Sequence, residues 1–307
     1  MTARVKEISQ NLLYSATCYL CHSPNIKIKY SSTQSSKKTD SDSFCCTSFG
    51  HGKHGDILEC LECGLVAIKN IPEHNELKQI YEQVIDPLYI EEKENRYLTF
   101  SKVIKDVQKY TIRGKLLDIG CYCGYFLDIA RDVGFEVQGL ELSKWASDQT
   151  SERGHVVHTN TLSNLDLEDH FDLITMWDVI EHFSDPRAEL KEINRLLIRD
   201  GYLFLSTINV RSIVARLMGQ RWPWFMDMHI YYFDPNTINR ILKEEGFRVL
   251  AIKNYTHYIS SNYFIKKLAH ISHSAEEVLK AFQSLVGEFQ IPFNLGDNMM
   301  VVAKKEH

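Results

Sequence analysis

The sequence predicts an α/β protein: a mainly parallel sheet with helices on both faces, preceded by a small metal-stabilised unit. Three observations carry this. From residue 114 onward, short apolar runs alternate with amphipathic helical segments, the pattern of successive βαβ units. One run, FDLITMWDV at 171–179, is almost unbroken in its apolar character, as a strand buried on both faces should be. Upstream, Cys18/Cys21 and Cys60/Cys63 form two C-x-x-C pairs.

Residues 1–75 hold six of the eight cysteines and a Ser-rich tract, SSTQSSKKTDSDS at 31–43, with too little apolar character to pack. Residues 76–111 read as a helical linker. KLLDI is then a first strand, and Phe126, Ile129, Ala130 and Val133 share one face of the helix after it, with Gly134 placed to stop it. FEVQGLEL is a second strand, Ser143 the N-cap of the next helix, and Gly154 its end. HVVH is a third strand and FDLITMWDV the fourth. Asp185-Pro186 starts a helix with the stripe Leu190, Ile193 and Leu197, and Asp200-Gly201 turns it into the fifth strand, YLFLSTI. Asp234-Pro235 repeats that start, with Ile238, Ile241 and Leu242 as the buried stripe. FRVLAI is the sixth strand, 254–290 reads as mostly helical, and NMMVVAKK closes the sheet as a seventh.

The chain has 307 residues, 44% hydrophobic and 24% charged, with a net charge of −5 and a pI near 6.2. Such a chain buries a sizeable core, and it carries no overall basic field to recruit nucleic acid or an anionic membrane. No apolar run is long enough to span a bilayer, and the N-terminus lacks the apolar core of a secretory signal. A cytoplasmic location is therefore expected.

In doubly wound sheets, ligands bind outside the carboxyl ends of the strands, near the switch in strand order. Three candidates fall there. Gly120 and Gly124, in LDIGCYCGYF, follow the first strand, where a tight turn lets a ligand approach the backbone. Glu141 ends the second strand, where an acid can accept hydrogen bonds from both hydroxyls of a ribose. Asp178 lies near the end of the fourth. The G-x-G-x-x-G of a nicotinamide-binding loop is absent, and Tyr122 occupies a position where glycine is usual.

On the runs LLDIGCYCGYFLDIA, VQGLELS, FDLITMWDVIEHFSDP and RDGYLFLSTIN, residues 112–307 resemble the class I S-adenosylmethionine-dependent methyltransferases. The resemblance implies a Rossmann-like seven-stranded sheet with its last strand antiparallel, and the cofactor lying along the first two strands. It implies that Asp118, Gly120 and Gly124 contact or shape the methionine end, that Glu141 holds the ribose, that Thr161 and Leu162 flank the adenine, and that Tyr122, Leu142 and Asp178 also line the cofactor crevice. Thr161 departs from the family, which usually has a negative charge at that place. The stretch WPWFMDMHIYYFDPNTINRILKEEGFRVL, at 222–250, resembles the substrate-lid segment of ubiquinone-biosynthesis-type and glycan-modifying small-molecule methyltransferases. The lid is therefore placed at 210–235. Its aromatics, Trp222, Trp224, Phe225, Tyr231, Tyr232 and Phe233, wall a dry acceptor pocket or pack in the core.

Methyl transfer to a hydroxyl needs a base. His229 and His182 are the candidates, with Asp178 as the polarising carboxylate. Asp178, Glu181 and His182 also resemble the acid-x-x-Glu-His run that holds a divalent cation in some ubiquinone-pathway O-methyltransferases. The two cysteine pairs, the second within ECLECGLV, resemble the zinc ribbon that precedes the catalytic domain in many bacterial relatives, with Cys18, Cys21, Cys60 and Cys63 as ligands of a structural Zn²⁺. The 38 residues between the pairs exceed the usual 15–20 or so. Cys45, Cys46, His51 and His54 lie in that interval as competing ligands. The expected activity is methylation of an oxygen or nitrogen on a small molecule or glycan precursor. A nucleic-acid methyltransferase gripping its substrate with the ribbon, and a non-catalytic relative acting as a scaffold, are the alternatives.

Overall fold

The computed structural model describes residues 17–33, 41–48, 52–269, 284 and 287–306. Most of the Ser-rich tract, His51 and most of 270–286 lie outside the described residues. The chain opens with three strands, β1 (Ile26–Tyr30), β2 (Ile57–Cys60) and β3 (Val66–Ile68), followed by helices α1 (His74–Glu82), α2 (Pro87–Glu91) and α3 (Lys93–Val107). The alternating part runs β4 (Gly114–Ile119), α4 (Tyr125–Asp132), β5 (Phe135–Leu140), α5 (Lys144–Glu152), β6 (Val156–His158), β7 (Phe171–Trp177), α6 (Pro186–Leu196) and β8 (Leu197–Ile208). There follow α7 (Ile213–Met218), β9 (Tyr231–Tyr232), α8 (Pro235–Glu244), β10 (Phe247–Asn254), β11 (His257–Ser260), α9 (Ser261–Ala269), β12 (Gln290–Phe293) and β13 (Asn298–Lys305).

The main sheet has seven strands in the order β10-β13-β8-β7-β4-β5-β6. All its pairings are parallel except those of β13, which runs antiparallel to both β8 and β10. The expected seven-stranded fold with an antiparallel last strand is therefore present. Strand order reverses between β4 and β7, so their carboxyl ends open a crevice on the Gly120 and Asp178 side.

Local chemistry explains where the helices start. The Ser143 side chain accepts from the Ala146 amide, Asp185 from Ala188, and Asp234 from Asn236 and Thr237 in a full capping box. Pro186 and Pro235 occupy the first turns, where no backbone donor is needed. Two elements differ from the sequence reading. Leu197 is the first residue of β8, not the last of a helical stripe, because it pairs with Phe171 before the chain reaches Asp200. Residues 257–260 form a strand paired with 290–293, since a partner segment supplies the ladder that local periodicity does not reveal.

The N-terminal strands make a second sheet, β1-β2-β3-β9, whose last strand comes from the middle of the chain. Val66 pairs with Tyr232 and Ala67 with Tyr231. Trp222, Phe225 and Tyr232 are fully buried in one cluster with Ile57 and Val66, and Tyr231 and Phe233 in the main core. These aromatics are thus core, each side chain contributing about 1.5–3 kcal/mol by burial. Trp224 alone of the six is only half-buried, and its indole, like that of Trp222, donates to Asp297 Oδ2 at 3.0 Å.

Candidate functional site

The loop after β4 turns sharply. Gly120 and Gly124 have φ of 66° and 74°, left-handed values that favour glycine. Space is also short: a Cβ on Gly120 would lie 2.8 Å from Val179 Cγ2, and one on Gly124 2.7 Å from Thr150 Cγ2. The Gly120 amide donates to Leu140 O at 2.8 Å, which ties this loop to the end of β5. Tyr122 sits between the glycines at φ 47°, a left-handed conformation that costs a side chain of this size on the order of 1–2 kcal/mol. Its ring is buried edge-on to Tyr89 at 4.5 Å, and its hydroxyl donates to Asp86 Oδ2 at 3.2 Å.

Glu141 is buried beside this loop. Its Oε2 accepts from the Tyr122 amide at 3.0 Å and its Oε1 from the Ser143 amide at 2.7 Å. Burial outweighs those two donors and pushes its pKa up to about 7. Asp118 points the other way, accepting from Thr175 Oγ1 at 2.6 Å, and burial lifts it to about 8. It shapes the loop from below. Leu142 is half-buried, Leu162 is buried, and Thr161, also half-buried, precedes a single helical turn at Leu162–Asn164.

Sequence reasoning missed a residue on this side. Arg96, on α3, lies with its guanidinium 4.6 Å from the centre of the Tyr89 ring. A cation so placed beside the loop suits a carboxylate ligand. No local signal marks it, because α3 reaches the loop only through folding.

On the other side of the crevice, Asp178 follows β7 at φ 56°. Its Oδ1 accepts from Ser206 Oγ at 2.7 Å, and its Oδ2 lies 3.4 Å from His257 Nε2. His257, on β11, is the second residue the sequence reading missed. Burial lowers its pKa, against the pull of Asp178, and so favours neutral imidazole. His182 and His229 come together, ring centroids 4.9 Å apart. His182 Nδ1 lies 2.8 Å from Met228 O, and His229 Nδ1 2.8 Å from Trp224 O. A carbonyl only accepts, so each Nδ1 carries a proton. Burial also lowers the pKa of His182.

Glu181 completes that cluster. It is fully buried, neither carboxylate oxygen has a hydrogen-bond partner of normal geometry among the described residues, and burial followed by the nearby Asp178 raises its pKa well above normal. Ligand atoms of Glu181, His182 and His229 lie within 4.8 Å of one another. The cluster that forms is Glu181, His182 and His229, while Asp178 is turned toward Ser206 and His257.

The four sulfurs of Cys18, Cys21, Cys60 and Cys63 also lie within 4.8 Å of one another, with Cys18–Cys63 and Cys21–Cys60 at 3.5 Å. A tetrahedral S₄ zinc with bonds of about 2.3 Å wants sulfurs near 3.8 Å apart, so the set fits that ion. Cys45 donates to Ile85 O and His54 is buried against Phe225, so neither joins the cluster.

With this geometry in place, the comparisons with known proteins are decisive about family. Residues 92–252, more than half of the chain, match the methyltransferase domain family. The chain belongs to that family. It is an S-adenosylmethionine-dependent methyltransferase. Among curated proteins, the methyltransferase is similar to the ubiquinone biosynthesis O-methyltransferase of Haemophilus ducreyi, 32% identical over 34% of this chain and 49% of that enzyme. The enzyme of the same description from Glaesserella parasuis is 26% identical over 50% of this chain and 73% of its own length. Among solved structures, a possible histamine N-methyltransferase from Thermotoga maritima covers 68% of this chain and 89% of its own at 20% identity and a TM-score of 0.47. Magnesium protoporphyrin IX methyltransferase from Synechocystis covers 69% and 80% at 15% identity and a TM-score of 0.45. Among the described residues of the methyltransferase, no helix is long and apolar enough to cross a membrane.

Proposed function

We propose that the methyltransferase methylates a hydroxyl oxygen of a small-molecule acceptor, with Gly120, Tyr122, Gly124 and Glu141 forming the cofactor half of the crevice. The observation that carries this reading is the convergence of Asp178, His182, His229 and His257 beside that half. When bound, the sulfonium cofactor supplies an already activated methyl group, so the protein's work is alignment, exclusion of water and removal of the acceptor's proton. Glu141 fits the two ribose hydroxyls as an acceptor, and Arg96 fits the methionine carboxylate. Leu142, Thr161 and Leu162 would border the adenine. Asp178 Oδ2 orients the His257 imidazole, which is neutral at physiological pH and suited to act as the base; His182 and His229 are the other candidates. The likeness to ubiquinone biosynthesis O-methyltransferases supports an oxygen acceptor of modest size over a glycan or a nitrogen.

The test is cofactor turnover with a panel of phenols, catechols and amines. His257→Asn should lower turnover of a phenolic substrate by about 10²-fold while cofactor affinity stays within twofold. Unchanged turnover in His257→Asn, His229→Asn and His182→Asn alike would sink the proton-removal role.

A second reading is favoured by the two unpartnered oxygens of Glu181. One carboxylate and two imidazoles, each imidazole fixed by a backbone carbonyl, are suited to a divalent transition metal that would polarise the acceptor oxygen. Activity that survives chelation and does not respond to added cation would exclude it. We also propose that the four clustered cysteines hold one structural zinc. Metal analysis well below one zinc per chain would contradict this.

A further inference from the structure

We propose that residues 41–48, in the long interval between the two cysteine pairs, form a gate over the cofactor pocket that is latched through Asp86 to Tyr122. The inference rests on the cofactor assignment above and adds how the cofactor gains entry. Two features set this chain apart from the usual pattern: a tyrosine where the first-motif loop has a small residue, and a ribbon interval twice the usual length. They meet at one carboxylate.

Asp86 is buried ahead of α2, whose Tyr89 amide it caps at 3.3 Å. Its Oδ2 accepts from the Tyr122 hydroxyl at 3.2 Å and from the Thr47 amide at 3.0 Å, while its Oδ1 accepts from the Thr47 hydroxyl. Loop and gate therefore hold the same carboxylate from two sides. Secondary fastenings flank it. Cys45 Sγ donates to Ile85 O at 3.4 Å, and the Lys267 ammonium on α9 donates to the carbonyls of Thr47 and Ser48.

The gate also extends toward the acceptor side. The Cys46 side chain keeps water-accessible surface. Phe44 packs edge-on to Tyr81 at 5.3 Å, and Tyr81 edge-on to His182 at 6.1 Å, so the roof continues to the acceptor side. Beneath it Asp118, Tyr122 and Glu141 are each less than a tenth exposed. Through Asp86 the segment is fastened to the Tyr122 side of the crevice, and the latch sets how often it moves aside to admit a ligand with a nucleoside and an amino-acid tail.

The experiment is stopped-flow binding of S-adenosylhomocysteine to the full chain, followed by tryptophan fluorescence; Trp145 lies 6.0 Å from the Tyr122 ring. Tyr122→Phe removes only the latch hydroxyl, and Thr47→Val removes the gate's hydroxyl from the other side of Asp86. Each should raise both association and dissociation rates about tenfold, the size expected for a hydrogen bond to a carboxylate, with Kd changing far less. Rates within twofold of wild type in both variants would overturn the gate. A change in Tyr122→Phe alone would overturn it too, because Tyr122 would then be a pocket contact and not a latch. A wild-type chain that binds no S-adenosylhomocysteine at high micromolar concentration overturns the cofactor assignment, and the gate with it.

Discussion

Gly120, Tyr122, Gly124 and Glu141 come from one βαβ unit, whereas His182, His229 and His257 come from three segments that meet only in the folded chain. The first group is held by backbone: amides of Tyr122 and Ser143 on Glu141, and Leu140 O on Gly120. The second is held by side chains on remote partners: Met228 O, Trp224 O and Asp178. In the proposed reading, the cofactor is served by a local device and the acceptor by a tertiary one. Substitutions that separate the two halves test this contrast.

The largest effect should come from the loop itself. Tyr122→Gly relieves the left-handed strain, worth on the order of 1–2 kcal/mol, but empties a buried ring site, worth about 3–5 kcal/mol. Thermal or urea unfolding should show a net loss of about 2–3 kcal/mol; a more stable variant would mean the ring is not packed as described. Next, Arg96→Met should weaken S-adenosylhomocysteine binding by about tenfold or more, the size of one lost hydrogen bond to a charged group. Binding as tight as wild type would remove Arg96 from the cofactor half. The acceptor-side change His257→Asn should leave that affinity within twofold.

A pH series sharpens the contrast further. The folded-state pKa of Glu141 is raised from 4.5 to about 7, so the native protein holds a proton there that the unfolded chain has released. Burial of this group therefore removes stability as pH rises from about 4.5 to about 7. Cofactor binding has the opposite sign, since ribose hydroxyls donate best to the carboxylate. S-adenosylhomocysteine affinity should rise between pH 6 and pH 8 by severalfold, and Glu141→Gln should flatten the profile. A profile that stays steep in Glu141→Gln would assign the titration to another group.

The same division describes what the sequence made legible. Strands, caps and the glycine loop follow from periodicity and from local hydrogen bonding, so Ser143, Asp185 and Asp234 cap as expected. Three things were not legible. β11 lies where local pattern suggests helix, because its ladder partner is more than thirty residues on. The third member of the Glu181 cluster is His229 because the backbone bond from Ile230 N to Glu181 O, with β9 docked on the ribbon sheet, brings that segment in. Arg96, His257 and Asp86 stand in stretches without motif character, and their roles come from what folds against them. The lid aromatics left two readings open from sequence, pocket wall or core, and the structure packs most of them as core at the seam between the ribbon and the main sheet.

The central claim is that the loop from Gly120 to Gly124, with Glu141, holds S-adenosylmethionine. Titration calorimetry of S-adenosylmethionine into the wild-type chain and into Glu141→Ala tests it most directly. Micromolar binding by the wild type, weakened by about 10²-fold or more in the variant through the loss of two hydrogen bonds to a carboxylate, is the predicted result. Equal affinity in the two proteins, or no heat from the wild type at high micromolar ligand, would contradict it.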